Sequence, residues 1–207
     1  MKFEGHDLSD NSIVNTDRFI AALSLIDEAN AQDPNRVDVK GESIGYELYF
    51  SQQLVSWVLK LRENASEELL LASRSQHIRR WESPRKDYPE GRAGYLKWRA
   101  DLKKFHAEKT AEILEKCGYE KEAIDRVSSL NLKKDLRKDE ECQTLEDALC
   151  LVFLEKQFAK FRQKTDRETM VGILRKTWGK MSADGHAAAL GLAMGEEELE
   201  LVKEALA

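Results

Sequence analysis

The sequence predicts an all-α fold, and three observations carry that prediction. Apolar residues recur three, four and seven positions apart through most of the chain, the spacing of one face of a helix. Prolines number only three and glycines eleven, too few breakers for a sheet-rich fold with many tight turns. No credible run of alternating strands interrupts the helical pattern.

Taken in order, the first helix is expected to be capped by Thr16 and to run to about Ala29, with Phe19, Leu23 and Ile26 at helical spacing. Pro34, Gly41 and Gly45 mark residues 30–45 as a loop. Tyr46 to Arg62 reads as a second helix, and Ser66 caps a third that reaches about Trp81. Pro84 and Pro89 break the pattern before a long helix from about Arg92 to Cys117, which ends at Gly118. Short helical material covers Lys121 to Leu130, followed by a charged connector from Lys133 to Glu141. Thr144 to Phe161 is the most apolar helix, Asp166 caps another to about Trp178, and Ser182 and Gly195 punctuate two terminal helices. With no internal repeat or low-complexity linker, residues 1–207 read as one helical domain, a compact multi-helix orthogonal bundle with its core at about 16–192, a short polar N-terminal leader and a C-terminal helix.

Composition narrows the function classes. Hydrophobic residues make up 42% and charged residues 34%, which fits a globular protein with solvated helix faces. The net charge of −5 argues against general nucleic-acid binding. No apolar run approaches the ~20 residues of a membrane span, and Met1 to Asp10 lacks the basic and apolar parts of a secretion signal, so a cytoplasmic location is expected. Cys117, Cys142 and Cys150, odd in number and without CxxC spacing, read as reduced core thiols; zinc ligation by Cys142 and Cys150 is the weaker alternative.

Polar residues on apolar faces are the informative feature. Glu47 and Ser51 fall on the inward stripe of Leu54, Val58 and Leu61. Arg74 sits within the face of Leu70, Leu71, Ile78 and Trp81, with His77 at its margin. Arg99 and His106 align with Tyr95, Leu102, Ile113 and Cys117, and Lys103 lies nearby. Asp147 shares a stripe with Leu151, Leu154, Phe158 and Phe161. A buried charge is costly unless paired or bound to something. These residues therefore form either a buried network, in which Arg74 and Arg99 pair with Glu47 and Asp147, or a helical active site. His6 lies in the polar leader and is assigned no role; His186 reads as a surface or capping residue.

The run Ser75-Gln76-His77-Ile78-Arg79-Arg80-Trp81, then Tyr88-Pro89, Arg92-Ala93-Gly94-Tyr95, Trp98-Arg99 and Lys103-Lys104-Phe105-His106-Ala107-Glu108, resembles the family termed domain of unknown function 4202. Leu145-Glu146-Asp147, Leu151-Val152-Phe153-Leu154-Glu155 and Leu174-Arg175-Lys176-Thr177-Trp178 extend the resemblance, which spans about Phe19 to Leu190. The order of elements is also similar, more loosely, to HD-domain metal-dependent phosphohydrolases. By that resemblance His77 stands where the paired histidine would be, Asp147 where the late aspartate would be, and His106 resembles an extra helix histidine of some subgroups. Two departures stand out: Ile78 follows His77 where the Asp of the pair is expected, and Glu47 or Ser51 occupies the place of the early histidine. The resemblance implies a divalent metal held by His77, His106, Asp147 and Glu47, with a two-iron oxygenase as a variant.

Between Arg74 and Lys109 basic residues concentrate, interleaved with Trp81, Tyr88, Tyr95 and Trp98, in a chain that is acidic overall. Guanidinium forks suit phosphate and aromatic faces suit bases or sugars. The expectation is a hydrolase acting on a small anionic, phosphorylated or nucleotide-like molecule, with Arg74, Arg99, Lys103, Trp81 and Tyr95 binding substrate and His77, His106 and Asp147 catalytic. The rival is a non-catalytic protein with a buried ion network or a regulatory anion site.

Overall fold

The computed structural model describes residues 2–3, 6–7 and 17–207. Thr16, the expected cap of the first helix, lies outside the described residues, as does the side chain of His6. Lys2–Phe3 (β1) and His6–Asp7 (β2) pair antiparallel. The protein is all-α, with ten α-helices among the described residues, and divides into two compact units, Met1–Asp135 and Leu136–Ala207. Among the described residues no helix is long and apolar enough to cross a membrane.

In the first unit, α1 (Asp17–Ala31) buries Phe19, Ala22, Leu23 and Ile26. Residues 30–45, expected to be a loop, contain a hairpin of β3 (Arg36–Val39) and β4 (Glu42–Gly45). Lys40 and Gly41, with φ of 55° and 89°, supply the positive-φ pair that a two-residue hairpin turn requires. The helix α2 (Tyr46–Leu61) buries Phe50, Leu54, Val55, Val58 and Leu59. Ser66 caps α3 (Glu67–Ser75), its side chain accepting from the Leu69 amide. Two short 3-10 turns, Arg80–Glu82 and Arg85–Asp87, lead into α4 (Gly91–Lys116), and α5 (Lys121–Leu132) packs against both α3 and α4. At the start of α4 a Cβ on Gly94 would stand 1.9 Å from the Pro89 carbonyl oxygen, so the proline-bearing loop closes there only over glycine.

In the second unit, Asp139 caps α6 (Glu140–Val152) by accepting from the amides of Glu141 and Cys142. The expected continuous helix to Phe161 is interrupted by one π turn, Phe153–Gln157, before α7 (Phe158–Arg162). The extra residue rotates the following stripe, and Phe161, expected inward, is 45% exposed. Asp166 and Ser182 cap α8 (Arg167–Trp178) and α9 (Ala183–Leu190), and Gly195 precedes α10 (Glu196–Leu206). All three cysteines are free thiols; Cys142 and Cys150 are buried and Cys117 is half-buried.

Candidate functional site

The site is built where α2 begins and α3 ends, both in the first unit. Gly45 opens α2 so close to α1 that a Cβ there would lie 2.6 Å from the Asn30 carbonyl oxygen. Having no side chain, Gly45 cannot cap the helix. Asp33 does so from the preceding loop: its Oδ2 accepts from the Glu47 amide at 3.0 Å, while Oδ1 accepts from the amide and side chain of Asn35. This pins Glu47 in the first turn of α2 with only 6% of its surface exposed.

α3 stops at Ser75 instead of reaching Trp81, so His77 stands on a turn rather than a helix. Ser73 and Ser75 turn their hydroxyls back onto the Leu70 and Leu71 carbonyls, which competes with helix continuation. Arg79 takes the left-handed conformation, φ 51°. The backbone groups freed by the break find distant partners. Asn30, 1% exposed, donates to the Arg74 carbonyl at 3.3 Å and accepts from the Arg79 amide at 3.4 Å. His106 Nδ1 lies 2.8 Å from the Ile78 carbonyl and donates to it.

On that turn, His77 stacks on Phe50, with centroids 4.2 Å apart and planes within 11°. Its Nδ1 lies 3.4 Å from Glu47 Oε2 and its Nε2 3.4 Å from Arg80 Nη1. A guanidinium only donates, so Nε2 accepts and Nδ1 carries the proton toward Glu47. The His106 ring centroid is 5.8 Å from that of His77. Since Nδ1 of His106 donates to Ile78, its Nε2 is an acceptor, and it is buried without a hydrogen-bond partner among the described residues. The Arg80 guanidinium extends over Trp98 at 5.1 Å from the ring centroid, and the Trp98 indole N–H is fixed by the Ser83 carbonyl at 2.8 Å.

The electrostatics are those of a desolvated, cation-rich centre. Burial pushes the Glu47 carboxyl up to about 8; Arg80 opposes the shift and Asp33 adds to it. Burial, then the charges of Arg80, His106, Arg99 and Lys133, hold His77 well below its ordinary value. Burial lowers His106 to about 4 against the pull of its bond to Ile78. Near neutral pH both histidines are neutral and Glu47 is mostly protonated.

The structure thus brings together four of the expected residues: Glu47, His77, Arg99 and His106. Ser51 is buried on α2 and spends its hydroxyl on the Leu48 carbonyl. The others have the following surroundings. Arg74 is 3% exposed, but its guanidinium closes on Asp27 of α1 at 2.6 and 2.7 Å, a partner that was not among those expected. Trp81 is half-buried in the 3-10 turn and Tyr95, expected inward, is 46% exposed. Lys103 is half-buried on α4. Asp147 belongs to the second unit, where Oδ1 accepts from the Ser182 amide at 2.9 Å and Gln143 Nε2 at 3.0 Å, and Oδ2 accepts from the Ser182 hydroxyl at 2.5 Å. Its carboxylate holds the start of α9. His186 is half-buried there, stacked on Trp178 with centroids 4.0 Å apart and Nε2 on the Trp178 carbonyl. Arg80 is the residue that sequence reasoning left out of the site. Helical spacing rotates it away from the Arg74 face, and only the turn at residues 76–79 returns it to His77.

The expected metal set of His77, His106, Asp147 and Glu47 does not fit a divalent ion. Among the described residues no group of three or more His, Cys, Asp or Glu side chains is gathered as metal ligands. One nitrogen of His106 is committed to Ile78 and the acceptor nitrogen of His77 faces a guanidinium. A second cation there would meet Arg80 and Arg99.

Fold and site together define an all-α protein with a desolvated acid–histidine–guanidinium cluster at a helix break. The chain belongs to the family described as Domain of unknown function (DUF4202), whose model matches residues 20–202. Neither the curated proteins nor the solved structures gave a match.

Proposed function

We propose that the first unit binds a small phosphorylated molecule at Arg80 and Arg99 and hydrolyses it with His77 as the proton-transfer group. The observation that carries this reading is the charge balance of the centre. Glu47, the acid that acts on Arg80, is held up to about 8, so near neutral pH it gives that guanidinium little counter-charge, while Arg99 adds a like charge. An anion would supply it. The family's name assigns no activity, so the support is physical.

The same arrangement supports a role for the imidazole. Arg80 faces His77 Nε2; an oxyanion drawing Arg80 to itself would release that nitrogen to accept a proton from an attacking water, whose oxygen bonds to phosphorus as the ester P–O bond breaks, and the imidazolium would return the proton to the departing alkoxide. Glu47 Oε2, 3.4 Å from Nδ1, favours the tautomer that carries its proton on that nitrogen. The anion's charge would also raise the depressed pKa of His77 toward the working range. No step needs a metal.

The test is a melting experiment with inorganic phosphate, beside hydrolysis of an aryl phosphate ester. Millimolar phosphate is expected to raise the melting temperature of the native protein and to leave Arg80→Ala unshifted. His77→Ala is expected to keep the shift and lose at least about 100-fold in hydrolysis. A protein that no phosphate stabilises, or an Arg80→Ala variant that responds as the native protein does, would sink the anion site. Phosphate binding without hydrolysis would leave a non-catalytic anion-binding protein.

A further inference from the structure

Among the described residues, four buried side-chain atoms have no hydrogen-bond partner: Glu47 Oε2, Gln76 Oε1, His106 Nε2 and Asn131 Oδ1. All belong to the first unit; the two amide oxygens and the imidazole nitrogen are acceptors, and so is Glu47 Oε2 where the carboxyl's proton sits on Oε1. Buried polar groups are nearly always satisfied, so a set of orphans with one polarity describes what is meant to meet them. Two of the four flank His77. Glu47 Oε2 is within ion-pair distance of its Nδ1 but not aligned for a hydrogen bond, and His106 Nε2 belongs to the ring next to it. Their residues are 6% and 2% exposed.

A donor for these atoms must be neutral. An ammonium group would sit among Arg80, Arg99 and Lys133, all of which act on His77. A hydroxyl has no such penalty, and it donates to a neutral imidazole nitrogen or a carboxyl oxygen equally well. We infer that the ligand's phosphate is carried on a polyol, and that its hydroxyls donate to His106 Nε2 and Glu47 Oε2 while Arg80 and Arg99 hold the phosphate: the substrate class is a sugar phosphate. This rests on the anion reading above and adds to it a requirement for donors. Trp98, fixed by Ser83 beneath Arg80, gives such a ligand an aromatic face of the kind that sugars stack on.

The experiment compares ribose 5-phosphate with ethyl phosphate, two monoesters of equal charge of which only the first carries hydroxyls, by calorimetric titration of the full chain. The native protein is expected to bind ribose 5-phosphate at least about tenfold more tightly, the contribution of two hydrogen bonds to otherwise unpaired acceptors. His106→Asn keeps an N–H for the Ile78 carbonyl and removes Nε2. It is expected to narrow the ratio to about threefold and to leave ethyl phosphate affinity unchanged. A measurement on the native protein covers the case in which that variant does not fold: the Nε2 nitrogen resonance of His106 should shift toward a hydrogen-bonded value with ribose 5-phosphate and not with ethyl phosphate. Equal, Arg80-dependent binding of the two esters overturns the sugar-phosphate inference and leaves the anion site standing. A preference that survives His106→Asn, or a silent Nε2 resonance, overturns it as well. Failure of both esters to bind removes the inference and the anion site together.

Discussion

Asp147 in the second unit and Glu47 in the first occupy equivalent places in the sequence logic, each a carboxylate on the inward stripe of an apolar helix. They are 3% and 6% exposed. Their surroundings differ. Asp147 accepts three hydrogen bonds, two from the residue that caps α9. Glu47 keeps an orphaned oxygen, faces a histidine without good alignment, and is held up to about 8 by its burial. Burial alone therefore does not mark a site. A satisfied buried carboxylate is a structural part; an unsatisfied one, left at a cost beside cations, is where a ligand is expected.

The largest effect that would break this comparison lies in the second unit. Asp147→Ala removes the acceptors of the Ser182 amide and hydroxyl, and is expected to cost about 3 kcal/mol in urea denaturation. It is expected to leave phosphate affinity unchanged. A variant that keeps native stability but loses phosphate hydrolysis would return Asp147 to the catalytic residues. Gly185→Ala is the steric counterpart. Its Cβ would lie 2.7 Å from Asp147 Cγ, in a place where the carboxylate is held by three bonds and cannot step aside. About 2 kcal/mol is expected in the same measurement, and a neutral outcome would show that the carboxylate can move.

How much of this was legible in the sequence depends on whether the deciding contact is local. The helix caps at Ser66 and Asp166 are local and legible, because a short side chain and the third amide after it settle them; Ser182, which the sequence marks only as a break, caps in the same way. The end of α3 was not legible. Ile78 and Trp81 continue the apolar spacing, and the chain leaves it because Asn30, 49 residues before Arg79, and His106, 28 residues after Ile78, accept and donate to the broken turn. The hairpin at residues 36–45 was missed for the opposite reason: its strands are only four residues long, and its turn is Lys-Gly, where Asn-Gly or Asp-Gly would have signalled it. In the candidate site, periodicity identified Glu47 and His106 as inward residues. It placed Arg74 inward too, but could not tell that Asp27 answers it. It missed Arg80, whose place depends on a single left-handed residue, Arg79.

The smallest effect sharpens the comparison most, because its sign separates a strained carboxylate from a satisfied one. Glu47 folds with its pKa raised from 4.5 to about 8. The stability linked to it is fully present below about pH 4.5 and is lost as pH rises toward 8, since the unfolded chain gives up that proton first. His106 is depressed from 6.5 to about 4, so its contribution is present above pH 6.5 and is lost as pH falls. His77, held well below its ordinary value, acts in the same sense as His106, so the histidine slopes oppose that of Glu47 below pH 6.5, and of these three groups only Glu47 acts from pH 6.5 to 8. The melting temperature is therefore expected to fall across that upper window. Glu47→Gln, which cannot ionise, is expected to flatten the fall and to gain about 1–2 kcal/mol at pH 8 over the native protein. Saturating phosphate would deepen the contrast, since an anion at Arg80 removes the charge that opposes the raised pKa of Glu47. A native protein whose stability rises between pH 6.5 and 8, or a Glu47→Gln variant less stable than native at pH 8, would show that Glu47 is satisfied after all and stands with Asp147 as a structural carboxylate.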